Sequence, residues 1–353
     1  MATEKLRVGV VGVGSIGKVH LTGYAAAAAA GDVEIHAIAD PHDRRRTEMG
    51  DLFGVDPTRR YEDHETMLAE EPLDIVSVCT PNLHHFDVAK SAILKGCHTL
   101  CEKPLTLDMD QARMLKTLAA EQGVKTMVAF SHRFMAGNIE GKRLIDAGEL
   151  GKPFMIRVRY AHGGPYPGWA QGDWFYDPVV SGGGALLDMG IHAIDIVRCL
   201  VGPIHTVSGQ VRTLRRDIDV DDNAVLVLDF GPEAKCLGYI ECGWTSGPGF
   251  GGIEVYGDNG TCLVLDFDEP RMMRGVKNPD GTETVETTKL TLGDGPSHWP
   301  LQMKSWVDFV LGRPTPTPIP GLDEGIASLE VALAATESSR TGRRIDVGPA
   351  AAA

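Results

Sequence analysis

The sequence predicts an α/β protein in which an N-terminal doubly wound parallel sheet is followed by an α+β domain with a large, mainly antiparallel open sheet. Strand and helix patterns alternate up to about residue 130, as in parallel sheets with crossover helices. Beyond that point the alternation stops and several β-type runs follow one another. A chain of 353 residues also suits two domains at roughly 150 residues each. We therefore expect a first domain over residues 1–130 and a second over residues 131–353.

The first domain begins with an apolar strand over residues 6–11 and a Gly-Val-Gly-Ser-Ile-Gly turn over residues 12–17. An alanine-rich helix and a second strand that ends at Asp40 follow. The run over residues 73–79 is largely apolar and lies between prolines, which is typical of a buried parallel strand. The other elements predicted here are helices over residues 41–53, 63–69, 83–95 and 107–122, and strands near Tyr61 and over residues 98–101 and 125–129.

The second domain is richer in strands. Gly231-Pro232-Glu233 and Asp258-Asn259-Gly260 separate β-type runs and predict hairpin turns. We predict strands over residues 153–160, 204–214, 223–230, 235–244, 252–257 and 261–267, and helices over residues 138–147, 184–201, 299–311 and 322–340, before an alanine-rich end that we expect to fray. An antiparallel sheet often leaves one face uncovered, which favours an oligomer built face to face.

Composition and charge disfavour several classes of partner. The net charge of −14 disfavours nucleic acid and anionic membranes, because both repel an acidic protein. No apolar run approaches the length needed to span a bilayer, and the N-terminus lacks the pattern of a signal peptide, so we expect a cytoplasmic protein. The 7 cysteines and 12 histidines show neither C-x-x-C nor H-E-x-x-H spacing, so we expect reduced core thiols and no metal.

The glycine turn between a strand and a helix has the pattern of a dinucleotide-binding site. Gly12 allows a tight turn, Gly14 lets the backbone approach a pyrophosphate, and Gly17 lets the helix pack close to the sheet. The helix N-terminus offers N–H groups and a positive dipole end to the phosphates. Asp40 is placed to accept hydrogen bonds from the adenosine ribose, and its charge repels the extra phosphate of NADP, so NAD is favoured.

An arginine run directly after this acidic residue leaves NADP possible. Arg44, the first of Arg44-Arg45-Arg46, is placed where an arginine can hold a 2′-phosphate. The alternative is that the run forms a solvated face of the following helix.

Three further loops lie at the carboxyl ends of strands, where doubly wound sheets bind their ligands. They are Thr80-Pro81-Asn82-Leu83-His84-His85, Glu102-Lys103-Pro104 and Ser131-His132-Arg133-Phe134. Lys103 precedes a proline, which restricts the lysine to extended backbone and fixes where its side chain starts. A lysine on the surface is the common case, but the fold places this one at the nicotinamide end of the cleft.

A second unusual stretch, residues 181–195, reads SGGGALLDMGIHAID. Asp188 and His192 are four residues apart and share a helix face, Asp195 can join them, and Ser181 can cap the helix start. The set is either a satisfied polar network or an acid/base aimed at a cleft, and the three glycines admit another chain segment or a ligand. The preceding aromatic residues can stack on a sugar ring or fill the domain seam: Trp169, Trp174, Phe175 and Tyr176.

The chain resembles the Gfo/Idh/MocA family of oxidoreductases over nearly its whole length. The resemblance rests on GVGSIG with His20 three residues on, CTPNLHH, CEKPL, SHRF and SGGGALLDMGIHAID. That family includes glucose–fructose oxidoreductase, inositol dehydrogenases and many sugar dehydrogenases. The resemblance implies a Rossmann domain, an α+β domain with a large open sheet, and homodimers or homotetramers.

The same resemblance implies roles for single residues. Lys103 matches the lysine of the E-K-P motif, and Asp188 with His192 completes the catalytic set. The residues implied to line the dinucleotide are Gly12, Gly14, Ser15, Ile16, Gly17, Asp40, Thr80, Asn82, His85, Glu102, Lys103 and Arg133. Substrate contacts are expected from the three catalytic residues and from His162, Trp174 and Tyr176.

These roles predict an NAD(P)-dependent oxidoreductase acting on a secondary hydroxyl, or ketone, of a sugar, inositol or related polyol. His192 takes the hydroxyl proton while the carbon passes a hydride to the nicotinamide, Lys103 stabilises the alkoxide, and Asp188 orients the substrate or the imidazole. Two alternatives stay open: a family member whose bound NAD oxidises the substrate only transiently, as glycosidase and dehydratase members do, and a non-catalytic sensor of sugar or dinucleotide. The catalytic set disfavours the sensor, because a binder has no use for a poised base.

Overall fold

The computed structural model describes residues 5–165, 172–247 and 250–348, which form two compact units. Unit 1 takes the described residues up to Ser131, those between Pro167 and Gly182, and Pro296–Leu329. Unit 2 takes the others. The first change of unit falls beside residue 130, but two later segments belong to unit 1 again, so the units are not contiguous in sequence. Trp169 and the alanine-rich C-terminal end lie outside the described residues.

Unit 1 contains a six-stranded sheet in which every pairing is parallel. Its strands are β1 (Leu6–Val11), β2 (Val33–Ala39), β3 (Arg60–Tyr61), β4 (Ile75–Val78), β5 (His98–Cys101) and β6 (Thr126–Val128). They lie side by side in the order β3-β2-β1-β4-β5-β6. Chain order therefore reverses at β1, and doubly wound sheets bind ligands at this switch point. All of β4 is buried, as expected for a strand covered on both faces.

Unit 2 contains a nine-stranded sheet. Its strands are β7 (Pro153–Ala161), β8 (Thr206–Arg212), β9 (Asn223–Asp229), β10 (Leu237–Gly243), β11 (Phe250–Gly257), β12 (Thr261–Asp266), β13 (Arg271–Lys277), β14 (Glu283–Lys289) and β15 (Ile345–Asp346). Their spatial order is β14-β13-β12-β11-β7-β10-β9-β8-β15. Only β7 and β10 pair in parallel among these, which confirms the predicted α/β organisation with a mainly antiparallel second sheet.

The two predicted hairpin turns join antiparallel neighbours. The connection between β9 and β10 at residues 231–234 is a short helical turn, and that between β11 and β12 is a tight turn. Sequence analysis missed β13, β14 and β15. Every residue of β14 is exposed and the strand is polar, so it lacks the alternation of apolar residues that marks a half-buried strand.

Among the described residues, one face of the second sheet is exposed at β9. In β9, Ala224, Leu226 and Leu228 are buried, whereas Val225 and Val227 between them are exposed. Such alternation is what a sheet shows when one face packs on the core and the other meets solvent.

Most helices of the described residues match the predicted ones to within a few residues at each end, but the short helices at residues 178–181 and 231–234 were not predicted. They are α1 (Ser15–Ala29), α2 (Asp43–Phe53), α3 (His64–Glu70), α4 (His85–Leu94), α5 (Met109–Gln122), α6 (Ala136–Asp146), α7 (Pro178–Ser181), α8 (Ile191–Leu200), α9 (Gly231–Ala234), α10 (Trp299–Val310) and α11 (Leu322–Thr341). Asp63 and Asp108 cap α3 and α5, because their carboxylates accept bonds from Thr66 N (2.7 Å) and Asp110 N (2.9 Å). A 3-10 turn, Asn82–His84, precedes α4.

The predicted helix over residues 184–201 consists of a π-helical turn, Leu186–Gly190, followed by α8. Within the described ranges, the helical run Pro178–Leu200 is long and apolar enough to cross a membrane by length and composition alone, and 67% of its most apolar window is buried. This departs from the expectation that no run reaches such a length, because helical structure begins at Pro178 rather than at residue 184. Core helices of soluble proteins meet the same criterion.

Candidate active site

The glycine turn after β1 has no room for side chains at two of its three glycines. Gly12 has a φ of 83°, and a Cβ there would lie 2.6 Å from the carbonyl oxygen of Cys79. A Cβ on Gly17 would lie 2.1 Å from the Gly12 oxygen. A Cβ on Gly14 would meet nothing within 4 Å, so its backbone is open to an approaching group. α1 starts at Ser15 with no side-chain cap from Gly14, and a helix N-terminus presents backbone N–H groups and a positive dipole end to an anion.

Asp40 follows β2 and is buried. Its carboxylate accepts hydrogen bonds from Val13 N (3.0 Å) and His42 N (2.9 Å), so it also holds the glycine turn in place. The Arg44 guanidinium pairs with Glu48 at 2.7 Å, and its side chain is 88% exposed. This arrangement corresponds to the solvated helix face that the sequence left as the alternative to a phosphate contact.

Two of the residues predicted in the loop after β4, His85 and Asn82, are tied to backbone carbonyls. Nδ1 of buried His85 lies 2.6 Å from the carbonyl oxygen of Pro104, and Nε2 lies 2.9 Å from that of Thr80. This imidazole therefore links the loop after β4 to the loop after β5. Burial lowers the pKa of His85, although the two carbonyls oppose that shift. The amide of Asn82 donates to Ser181 O at 2.8 Å. The Thr80 hydroxyl is buried and has no hydrogen-bond partner among the described residues, so it suits a polar group of a bound cofactor.

Lys103 follows β5 directly after buried Glu102, and its peptide bond to Pro104 is cis. Glu102 accepts a hydrogen bond from the Lys103 backbone N at 3.2 Å. Its other carboxylate oxygen lies 3.0 Å from Nε2 of His20, a fully buried residue of α1. The backbone from which the Lys103 side chain starts is therefore held from within unit 1.

In unit 2, Asp188 lies in the π-helical turn and His192 lies in the first turn of α8. The Asp188 carboxylate accepts a hydrogen bond from the indole Nε1 of Trp244 at 2.9 Å. The ring of His192 stacks on that of His132, with centroids 4.3 Å apart and planes inclined by 15°. Each side chain of the predicted catalytic pair thus has an aromatic neighbour that fixes its orientation.

The start of this helical segment is capped differently from the prediction. The Ser181 hydroxyl donates to Asp177 O (2.8 Å) within α7 and caps nothing in the later helix. Instead, Asp221 accepts hydrogen bonds from Gly184 N (2.7 Å) and Leu186 N (2.8 Å). Burial raises the pKa of Asp221, and those two hydrogen bonds oppose the shift.

Arg133 and Asp195 form a buried ion pair in unit 2. Nε and Nη2 of Arg133 donate to the two carboxylate oxygens at 2.7 Å and 2.6 Å. The side chains are 6% and 1% exposed. Asp195 of α8 therefore binds Arg133. The dinucleotide contact predicted for Arg133 stays a prediction.

The weaker substrate candidates lie at two places. His162 follows β7, and its Nδ1 accepts a hydrogen bond from Gly164 N at 2.8 Å, so the neutral ring carries its proton on Nε2. Trp174 and Tyr176 are half-buried in the 3-10 turn Asp173–Tyr176 of unit 1, where Trp174 stacks on Phe175 with centroids 3.9 Å apart.

Sequence analysis missed the roles of His20, His132, Asp221 and Trp244. The histidines stand in quoted motifs, and their position beside residues predicted to line the dinucleotide was the available signal. Asp221 and Trp244 reach the site from distant parts of the chain, and no local pattern marks them. The described residues contain no group of three or more His, Cys, Asp or Glu able to hold a metal ion, and the seven cysteines are free thiols.

Three features define a dinucleotide-binding protein. They are a G-x-G-x-x-G turn at the switch point of a parallel sheet, a helix N-terminus without a side-chain cap, and an acidic residue directly after β2. Residues 6–130 match the family described as an oxidoreductase family with an NAD-binding Rossmann fold. Residues 139–263 match the GFO/IDH/MocA C-terminal domain. The chain belongs to the Gfo/Idh/MocA family of oxidoreductases, as its motifs predicted.

Similar proteins include scyllo-inositol 2-dehydrogenase (NAD(+)) of Bacillus subtilis, which is 26% identical over 98% of this chain and 97% of that protein. D-glucoside 3-dehydrogenase of Escherichia coli is 30% identical, and the match spans 57% of this chain and 56% of that protein. Among solved structures, a levoglucosan dehydrogenase in complex with NADH superposes with a TM-score of 0.86 at 21% identity, over 98% of this chain and all of that one. This last likeness shows the shared fold.

Proposed function

We propose that the protein is an NAD-dependent dehydrogenase that oxidises a secondary hydroxyl of a sugar, inositol or related polyol, or reduces the corresponding ketone. The observation that carries the proposal is a dinucleotide cradle on a chain that also has Lys103, Asp188 and His192 of the family's motifs. The dehydrogenases similar to this chain act on an inositol and on a glucoside, by their names.

The residues of unit 1 fit the cofactor. The open backbone at Gly14 and the uncapped start of α1 suit a pyrophosphate, and the buried Thr80 hydroxyl suits a further polar group. Asp40 suits the ribose hydroxyls and repels a 2′-phosphate, while Arg44 is turned to Glu48 on the solvated face of α2. NAD is therefore the expected cofactor, and when bound it supplies a nicotinamide ring that accepts hydride.

The protein's own side chains transfer the proton and stabilise the charge that develops. His192 accepts the hydroxyl proton of the substrate, and the stack on His132 keeps the imidazole plane fixed for that transfer. Asp188, held by Trp244, orients the substrate or the imidazole. The Lys103 ammonium stabilises the alkoxide that develops, an effect for which single groups are worth about 10²–10³ in kcat.

The test is absorbance at the reduced-nicotinamide band with purified protein, NAD or NADP, and a panel of sugars, inositols and sugar acids. Wild type, Lys103→Ala and His192→Ala are assayed together with Lys116→Ala, whose exposed side chain pairs with Asp323 and has no proposed role. We expect reduction that prefers NAD, needs both Lys103 and His192, and is unaffected at Lys116.

Two outcomes would redirect the proposal. A silent panel with dinucleotide still tightly bound would favour transient oxidation by bound NAD, or a sensor. Full activity in Lys103→Ala or His192→Ala would remove that residue from the mechanism.

We also infer that the open face of the second sheet mediates a homodimer or homotetramer. Val227 and Tyr239 are direct cross-strand partners on that face, and both are exposed, as are Val225 and Leu237. Association buries these apolar side chains against a second copy. Light scattering of wild type and Val227→Arg tests this, because a charge in such an interface should yield monomers.

The cellular site that we propose is the cytoplasm, without a nucleic-acid or membrane partner. Support comes from the seven free thiols and the acidic net charge of −14. Fractionation of cells that express the protein tests this assignment.

A further inference from the structure

A buried row of polar side chains crosses unit 1 and ends at Glu102. His20 and Tyr24 are four residues apart on α1 and face the sheet. Ser77 of β4 lies between them, with its Oγ 2.7 Å from Tyr24 Oη and 3.2 Å from His20 Nδ1. At one end, Trp306 of α10 reaches Tyr24; at the other, His20 reaches Glu102. His20, Tyr24, Ser77 and Trp306 have no exposed surface.

The donor at one end fixes the direction of every hydrogen bond in the row. An indole nitrogen only donates, so Trp306 Nε1 donates to Tyr24 Oη (3.0 Å). Because the indole nitrogen cannot accept, the acceptor within the row for the Tyr24 hydroxyl proton is Ser77 Oγ at 2.7 Å, and burial raises the pKa of the phenol, so that proton is retained. The Ser77 hydroxyl, having accepted from Tyr24, donates to His20 Nδ1.

His20 therefore carries its proton on Nε2 and donates to Glu102 Oε1 at 3.0 Å. Glu102 accepts a second hydrogen bond on Oε2 from the Lys103 backbone N at 3.2 Å. Both carboxylate oxygens of Glu102 are therefore engaged as acceptors. In this assignment each polar atom of the row has a partner, and buried polar rows are stable only when that condition holds.

We propose that His20, Ser77 and Tyr24 are positioning residues that keep the Glu102 carboxylate fixed beside Lys103. The inference rests on the proposed function, because Glu102 is among the residues that we propose line the dinucleotide. A fixed negative charge there favours the cationic, oxidised nicotinamide over the neutral, reduced one. The row thereby helps the protein to bind NAD⁺ and to release NADH.

The first test measures the ratio of the dissociation constants of NADH and NAD⁺ by fluorescence and calorimetry. In His20→Leu, Glu102 loses a donor, so we expect the preference for NAD⁺ to fall about five- to tenfold, with kcat lowered and the KM for sugar little changed. His20→Gln offers an amide N–H toward Glu102 and should restore most of the ratio.

Variants further along the row give a graded prediction. Tyr24→Phe should have a smaller effect than His20→Leu, because Ser77 keeps its own proton to donate to His20. Trp306→Phe should leave the ratio unchanged. Thr99→Val removes a buried hydroxyl of β5 that donates to Cys97 O, outside the row, and serves as the control for a merely structural loss.

The second test is independent of turnover. Nitrogen NMR of the full-length protein at neutral pH should show His20 as the neutral tautomer protonated on Nε2. An imidazolium, or a proton on Nδ1 alone, would overturn the assigned direction. An unchanged NAD⁺ preference in a folded His20→Leu protein would overturn the functional role. A wild type that binds neither dinucleotide would instead contradict the proposed function.

Discussion

The buried pair of Arg133 and Asp195 offers a quantitative test of how the helix with the predicted catalytic pair is supported. Two short hydrogen bonds join side chains that are almost fully buried. Removing one partner leaves the other as an uncompensated buried charge, which costs about 3–5 kcal/mol. Asp195→Leu and Arg133→Met should each lower the free energy of unfolding by that amount. The double variant loses both charges together, so it should be destabilised by far less than the sum.

Urea unfolding at neutral pH, followed by circular dichroism, measures the four free energies of this cycle. We expect a coupling energy of at least about 2 kcal/mol, because contacting charged groups in one network are not additive. Additivity to within about 0.5 kcal/mol would refute the reasoning. NAD⁺ affinity of the folded double variant answers a separate question: an unchanged affinity would make Arg133 a support of α8, and a weakened one would favour the dinucleotide contact.

Three further changes give distinct signatures. Asp222 is fully buried, and although burial raises its pKa, hydrogen bonds from the backbone of residues 214–216 outweigh this and hold the pKa below its usual value. The Asp222 carboxylate therefore stabilises the folded protein above the unfolded pKa of about 3.9, and this stabilisation is lost as pH falls through the lower folded pKa. Asp222→Asn should lower the free energy of unfolding in urea by about 2–4 kcal/mol at neutral pH and by much less in acid. Asp40→Ser should raise the kcat/KM ratio of NADP to NAD about tenfold, equivalent to about 1.4 kcal/mol of relieved repulsion, and an unchanged ratio would contradict the ribose role. Trp244→Phe removes the donor to Asp188 and should lower kcat about tenfold with NAD affinity unchanged, as measured by steady-state kinetics and titration.

The parts of the fold that local sequence determines were predictable. Buried strands such as β4 have apolar runs, and the glycine turn and Asp40 mark the switch point without any knowledge of the rest of the chain. β14 was missed because all its residues are exposed, so no apolar alternation distinguishes it from a loop. Asp221 and Trp244 were missed because they are long-range partners: each binds a helical segment more than thirty residues earlier in the chain, as the separations of 37 and 56 residues show.

The glycines around the predicted catalytic pair show how the structure decides between two interpretations that the sequence left open. In sequence, the triple glycine before Asp188 indicates room for a ligand or another chain segment. In the structure that room is taken by the protein itself, because a Cβ on Gly184 would lie 1.8 Å from the backbone oxygen of Asp221. A Cβ on Gly190 would lie 2.8 Å from the sulfur of Cys242 on β10. The π-helical turn between these glycines can therefore lie against β10, where Trp244, just beyond the strand, reaches Asp188. Close backbone packing, rather than space for substrate, is what these glycines supply to the site.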